Sequence, residues 1–517
     1  MLLIVVGALL ALSLGVMDQS IVGTAGPTII SDLGGLSLYA WVFSVYTLSL
    51  TVSMPVYGKL SDIYGRKRFF LAGLLIFITG SMLSGAAQNI TELIVFRALQ
   101  GLGSGSFFTV GLAIVGASVK PEQRGRVLGL TGSIFGLGAI AGPTAGSYLV
   151  QFVGWRWIFY VNLPVGILSL VMVAFALKEM RGGGVKKSLD WVGALLLGGW
   201  VSTLLLGLLN GGSTYPWFSL PEYIFFGGFV VMLPAFLWYE TRVEDPIIPL
   251  SLFRNRTISA SFVVNFVRGA VLLGLVAFLS LFIQGGIGGT IEDTRNVLYA
   301  FVVPFMLGSI FAGQIVNRLG YRIVTFVGVT LMTVGVGAFA FVGLSPNVLD
   351  LIVRAPLAGL GMGIGLASVL SAFQNSVERR LIGVASAMAT FSLNLGGAIG
   401  VSLVGAVQVN YFASHLLEIV NNAPAQFQAL LRQALSDPNQ VGQVLNSPAI
   451  LTQVLSKYPA LVAIVPQLRT ALASSIVDGF LVVLALSAVS VVASLLIPAP
   501  PKVAKVYEQQ AAPAPVA

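Results

Sequence analysis

Lysine and arginine alternate along this chain with long apolar stretches, and that alternation admits few folds. The chain reads as roughly fourteen apolar stretches, each near the ~20 residues that carry a helix across a bilayer. Of the 28 Lys and Arg residues, the odd-numbered connections hold only Arg156, Arg295, Arg432, Lys457 and Arg469. Three more lie inside spans: Arg97, Arg268 and Arg354. The remaining 20 fall in every second connection and in the C-terminal tail. Basic residues collect on the cytoplasmic side of membrane proteins. The pattern therefore predicts a multi-pass protein of a plasma or bacterial inner membrane with both termini in the cytoplasm.

Composition agrees. The chain is 56% hydrophobic and 9% charged, with mean hydropathy +0.93; a soluble domain carries about 25% charged residues. Lipid must be the solvent, so the backbone satisfies itself in helices or a closed barrel. Runs such as 481–497 lack the alternation of a barrel strand, which leaves helices. The net charge of +9 reads as orientation charge beside anionic headgroups, so membrane lipids are expected partners and nucleic acid is not. With no Cys and one His, His415, there is no thiol chemistry and no histidine metal cluster, so no metal or cofactor is expected. Residues 1–16 lack the basic flank of a signal peptide and read as part of the first span; a short basic segment ahead of Met1 would complete the pattern.

The expected spans are 1–24, 39–57, 69–87, 92–116, 126–150 and 157–178, then 189–209 and 222–240, then 257–284, 296–316, 323–343, 350–372, 381–409 and 475–497. Six of the seven Trp residues sit near span ends, as in an aromatic belt. The chain also repeats. Arg97-Ala98 followed by Gly101, Gly103 and Gly105 in span 4 returns as Arg354-Ala355 followed by Gly359, Gly361 and Gly363 in span 12. Gly125 and Gly138 keep the same separation from Gly383 and Gly396. The loop 58–67 returns at 313–322. The predicted fold is all-α: a six-helix half (1–178), an inserted helix pair with its linkers (179–256) and a second six-helix half (257–497). Two parallel repeats with a site between them near mid-membrane are the build of a rocking transporter. Residues 410–474 read as a long outer loop with two or three short helices, either a passive cap or a shield over the exit or a lipid-contact surface. The Pro/Ala-rich tail 498–517 is expected to be disordered.

Four motifs carry the chemistry. Gly58-Lys59-Leu60-Ser61-Asp62-Ile63-Tyr64-Gly65-Arg66-Lys67 has glycines for close approach and a tight turn, and a carboxylate able to cap a helix or accept from a guanidinium. Arg97 is a charge inside a span, costing roughly 2.5–3.5 kcal/mol on insertion scales, so it needs a partner or a wet cavity. Gly138, Gly142, Pro143 and Gly146 make a groove and a bend in span 5. Met17-Asp18-Gln19-Ser20-Ile21-Val22 puts the only carboxylate placed well inside the first six spans at Asp18. Desolvation favours its neutral form and a nearby cation its charged form.

In this order the motifs resemble the major facilitator superfamily, and within it the fourteen-span drug:proton antiporters (EmrB/QacA type), over nearly all of residues 1–497. The resemblance implies a conformational latch of Gly58, Asp62, Gly65 and Arg66, an antiporter motif at Gly138, Gly142, Pro143 and Gly146, and proton coupling at Asp18 assisted by Arg97. Ile63 stands where the family has a basic residue, so the latch leans on Arg66, and Asn317 makes the second copy structural. For Arg97 the competing reading is simple carbonyl binding, and for Asp18 a structural polar contact. Asn265, Arg268 and Asn394 are candidates for the substrate path. The function expected is proton-coupled export of lipophilic or amphiphilic small molecules such as drugs (multidrug efflux conferring drug resistance) by a monomer, with export of a native lipid as the alternative. No Walker A sequence points to direct ATP use, a channel needs no paired halves, and no enzyme constellation is present.

Overall fold

The structure is a computed structural model. It describes residues 2–33, 38–119, 121–178, 190–212, 215–343, 346–422, 437–457 and 459–498, with Gln428, Arg432 and Leu435. The linker 179–189, most of 427–435 and nearly all of the tail expected at 498–517 lie outside the described residues.

Among the described residues fourteen long helices follow one another: α1 (Leu2–Leu33), α2 (Tyr39–Tyr64), α3 (Arg66–Ala86), α4 (Ile90–Ser118), α5 (Pro121–Phe152), α6 (Trp157–Ala176), α7 (Trp191–Asn210), α8 (Leu220–Glu240), α9 (Arg256–Gly286), α10 (Ile291–Leu319), α11 (Tyr321–Ala340), α12 (Val348–Asn375), α13 (Ile382–Asn422) and α14 (Val465–Leu495). Thirteen are long and apolar enough to cross a membrane. The exception is α2, whose Ser, Thr and Tyr residues lower its hydropathy and which packs between α4 and α13. Gly65 (φ 115°) and Gly320 (φ 79°) make the one-residue turns α2–α3 and α10–α11, a backbone conformation that favours glycine.

The connection expected at 410–474 is shorter than that. Phe412, Leu416 and Val420 recur every fourth residue and are buried, so the stripe carries α13 past the apolar window; Leu468, Leu472 and Ile476 do the same for α14. Between them lie helices Pro438–Asn446 and Pro448–Lys457 and a 3₁₀ turn, Pro459–Ile464. The first of these buries Val441 and Leu445 against the π-helical end of α9, Leu281–Gly286. Asn439 Nδ2 donates to Gly212 O, 3.2 Å, tying it to the α7–α8 connection.

Packing follows the sequence repeat. In the first six helices α1 packs on α5 and α6, α4 takes α2 and α3, and α3 meets α6. In the last six α9 packs on α13 and α14, α12 takes α10 and α11, and α11 meets α14. The glycines make these approaches possible. Gly101 and Gly105 of α4 face α2, and Gly103 faces the backbone of Gly73 and Phe77 in α3; Gly359, Gly363 and Gly361 of α12 face α10 and α11 in the same way. A methyl on Gly103 meets backbone, which cannot rotate away. Gly103→Ala is expected to lose about 1–3 kcal/mol of stability, read as a lowered melting temperature. Gly23→Ala, where a Cβ has nothing within 4 Å, is the control.

The halves meet along α2–α13 and α5–α10. Ser309 Oγ donates to Gly129 O, 2.8 Å, and Gln374 Nε2 to Leu112 O, 3.3 Å. Both bonds lie in the helix portions nearest the connections rich in Lys and Arg, here called the basic side, which is closed. The α7–α8 hairpin covers the α2–α13 seam, where Trp200 packs on Phe229, Phe236 and Phe391.

On the far side, beyond the apolar window of α1, Asp32 clamps the first half. Its Oδ2 accepts from Trp155 Nε1 (2.9 Å) and Arg156 Nη1 (2.6 Å), while Arg156 Nη2 donates to Ala87 O. The Trp155 bond first, then Arg156, hold its carboxyl below the ordinary value of 3.8. A depressed carboxylate contributes stability above its unfolded value and loses it as pH falls through the folded one. Protection of the amides in the α5–α6 connection, taken relative to the intrinsic exchange rate at each pH, is therefore expected to stay constant from about pH 7 to 5 and to fall only below about pH 4. Asp32→Asn should remove that step.

Candidate functional site

Asp18, on α1 in the core of the first half, is fully buried. Arg97 Nη1, from α4, donates to its Oδ2 at 2.6 Å. Gln100 Nε2 and Asn162 Nδ2 donate to its Oδ1 at 2.8 and 3.0 Å. All three neighbours approach the carboxyl oxygens through N–H groups. Arg97 also gives Nη1 to Gln100 Oε1 (2.8 Å) and Nε to Val42 O (3.4 Å), and its guanidinium lies 4.0 Å over the Tyr46 ring. Tyr46 OH donates to Ser104 Oγ, 2.9 Å. Asn162 Nδ2 also reaches Ser81 Oγ, which donates to Phe159 O. The cluster thus draws on α1, α2, α3, α4 and α6, and lies wholly inside one half. A buried pair of this kind stays closed while its hydrogen bonds hold, and neutralising the carboxylate removes the attraction.

The sequence singles out Asp18 and Arg97, and the structure pairs them. Gln100, Asn162, Ser81 and Tyr46 escaped notice. Gln100 had a signal, since it lies three residues after Arg97 on the same face of an apolar helix. Arg354 is no second Arg97. Arg97 lies four residues ahead of Gly101 but Arg354 five ahead of Gly359, and one residue turns a helix by about 100°. Arg354 is half-buried and bonds Ala338 O, 2.7 Å, at the end of α11.

The loop motif joins the halves. Asp62 is buried, and its two carboxylate oxygens accept from Gly383 N (3.1 Å) and Val384 N (2.9 Å) at the start of α13. Arg66 Nη2 donates to Asp62 Oδ1 at 3.0 Å. A carboxylate on the N-terminus of a helix is favoured by its free N–H groups and dipole. Gly58 permits the contact: a Cβ there would lie 2.6 Å from Ala387 Cβ. Gly138 and Gly142 of α5 receive Val16, Met17 and Ser20 of α1, and Ser20 Oγ donates to Gly138 O, 3.1 Å. Pro143 sits inside α5 and Gly146 is buried two turns beyond Gly138. This motif binds α1 to α5 within one half.

In the second half, Arg268 Nη1 donates to Asn265 Oδ1 at 2.6 Å and Nη2 to Met362 O at 3.0 Å. Asn265 Nδ2 donates to Ala389 O and to Ser392 Oγ. Asn394 lies on the opposite face of α13, bonding Thr390 O and touching Met54 of α2. A cavity of about 580 Å³ lies on the basic side between Asp62 and the α8–α9 connection, lined by Lys59, Asp62, Glu240, Asp245, Arg254 and Arg380. Its charges are mixed, and it does not include the Asp18 cluster. Among the described residues, no group of three or more His, Cys, Asp or Glu is arranged to hold a metal ion.

The family model described as Major Facilitator Superfamily matches residues 8–401. The chain is 31% identical over 504 residues to the multidrug transporter protein MdtP of Bacillus subtilis (strain 168), covering 96% of this chain and 92% of that protein. It is 32% identical over 454 residues to multidrug resistance protein 3 of the same organism, covering 88% of each. Among solved structures, the human organic anion transporter MFSD10 superposes with TM-score 0.59 at 14% identity, covering 94% of this chain and 99% of that one. The proton:xylose symporter XylE superposes with TM-score 0.58 at 12% identity, covering 96% of each. At such identities these two carry the fold alone. With two repeated six-helix halves and a helix pair between them among the described residues, the chain is a multi-pass membrane protein and belongs to the major facilitator superfamily.

Proposed function

We propose that this protein exports lipophilic or amphiphilic small molecules, drugs among them, in exchange for protons. The multidrug transporters among its relatives support the export reading. The observation that carries the proton reading is the Asp18–Arg97 pair, a titratable charge buried in one half and held only by donors. The basic side is the cytoplasmic one, with both termini there. Residues 1–178 and 257–497 rock as units of a monomer in a cell membrane, with the segment 179–256 bracing the seam. The bonds from Asp62 to Gly383 and Val384, which tie the halves together on the basic side, support a latch that seals the cytoplasmic side. A proton arriving from outside neutralises Asp18 and loosens Arg97, cargo leaves outward, and the proton is released inside once the halves have tilted. No covalent step and no cofactor enters this cycle.

The test is export of a lipophilic dye from proteoliposomes against its own gradient under an imposed pH difference. Export should stop when ionophores collapse both the pH and voltage differences. Dye still moving uphill after that collapse would overturn the reading.

A further inference from the structure

Arg268 occupies in the second half the place that Asp18 occupies in the first. Gly138 of α5 packs on Val16 and Met17 of α1, and Gly142 on Met17 and Ser20. Their repeat counterparts on α13, Gly396 and Gly400, pack on Phe266 and Ala270 of α9. Asp18 lies midway between Val16 and Ser20; Arg268 lies midway between Phe266 and Ala270. The two halves thus carry opposite charges at matching positions, but only one is neutralised. Arg97 and Gln100, which serve Asp18, lie four residues and one residue ahead of Gly101; the residues so placed ahead of Gly359 are Ala355 and Ala358.

Arg268 is 1% exposed and has no carboxylate in ion-pair range among the described residues. Its Nη groups reach Asn265 and Met362, but Nε meets no acceptor, and Ser261 Oγ, two turns away on the same face of α9, has no partner either. Gly365 leaves bare α12 backbone against this edge: a Cβ there would lie 2.6 Å from Nε. An unneutralised charge inside a span is costly, and the Nε–Nη edge of a guanidinium fits a carboxylate, sulfonate or phosphate through two parallel bonds.

We propose that Arg268 recognises an oxyanion on the cargo, so that the transported molecules include lipophilic organic acids, held between α9 and α12. This deepens the export reading and rests on it. With the basic side closed, Asn265 and Met362 serve the guanidinium in the cargo's absence. When that side opens, the cargo's oxyanion takes up the free edge.

The experiment is equilibrium binding to the full-length protein in nanodiscs of zwitterionic lipid, with no gradient, using one xanthene dye as its free carboxylate and as its ethyl ester. Fluorescence anisotropy should give an affinity for the acid at least about tenfold above that for the ester. Arg268→Gln should erase the preference while leaving ester binding unchanged, and Arg268→Lys should keep part of it. Gly365→Ala, which sets a methyl against Nε, should weaken acid binding selectively, and it serves if the glutamine variant does not fold. Displacement of the acid by added phosphatidylglycerol would place a lipid headgroup in the same oxyanion site; no displacement leaves it to free acids. Equal affinities in the wild type, a preference that survives Arg268→Gln, or equal weakening of both dyes would overturn the proposal. Because no gradient is present, a failure of proton coupling would leave this result unaffected.

Discussion

Asp18→Asn is expected to abolish gradient-driven export while the protein still folds. Asparagine keeps the shape and one oxygen, so Gln100 or Asn162 retains an acceptor, and Arg97 keeps Val42 O and the Tyr46 face. What is lost is the group that, in the proposed cycle, takes up and gives back a proton. Dye export in proteoliposomes should fall to the rate of protein-free vesicles; thermal unfolding should come at a lower temperature than in the wild type, because Arg97 stays buried without its carboxylate, but folded protein should still be recovered. Arg97→Ala should behave differently. It leaves a carboxylate buried without its cation, which costs about 3–5 kcal/mol, so the yield of folded protein should drop. Asp18→Asn combined with Arg97→Gln should recover stability relative to Arg97→Ala but not transport, and the non-additivity of the cycle measures the pair. Undiminished coupled transport in Asp18→Asn would remove this residue from the mechanism.

Breaking the latch should shift the protein toward the conformation open on the basic side. Asp62 serves two backbone N–H groups of α13 and the Arg66 guanidinium. Asp62→Ala removes the two bonds that cross between the halves, which we place at about 3 kcal/mol, on the order of a hundredfold in the ratio of closed to open. Gly383→Ala should act the same way, because a Cβ there would lie 2.6 Å from Asp62 Oδ1. The chain has no cysteine, so one introduced thiol reports without background. Ser386→Cys is nearly isosteric and fully buried on α13 beside Gln374. Its labelling by a water-soluble maleimide should be slow in the otherwise native chain and faster by roughly the same hundredfold in the latch variants. Equal labelling rates would show that the seal does not depend on Asp62.

The sequence carried the architecture further than the site. Apolar windows and basic connections located the spans because bilayer thickness and orientation each act on local sequence. The glycines of α4 and α12 disclosed the repeat because each marks a backbone approach that a side chain would block. The extent of α13 and α14 was hidden, since Phe412, Leu416 and Val420 continue a helical stripe where the apolar window has already ended. Asp18 and Arg97 were each conspicuous as charges in apolar helices, but they are 79 residues apart and pairing across helices is a tertiary fact. Neutral Gln100 and Asn162 raised no electrostatic flag, although they complete the carboxylate's shell. Arg354 was misplaced by a single residue of register, which turns its side chain from the core to the end of α11.

The most direct test is proton release from the purified protein on binding cargo, followed with a pH-sensitive dye in weakly buffered detergent solution. The account predicts that saturating cargo displaces protons from the wild type in proportion to protein and displaces none from Asp18→Asn. Equal release from both proteins, or none from a wild type shown to bind, would contradict it.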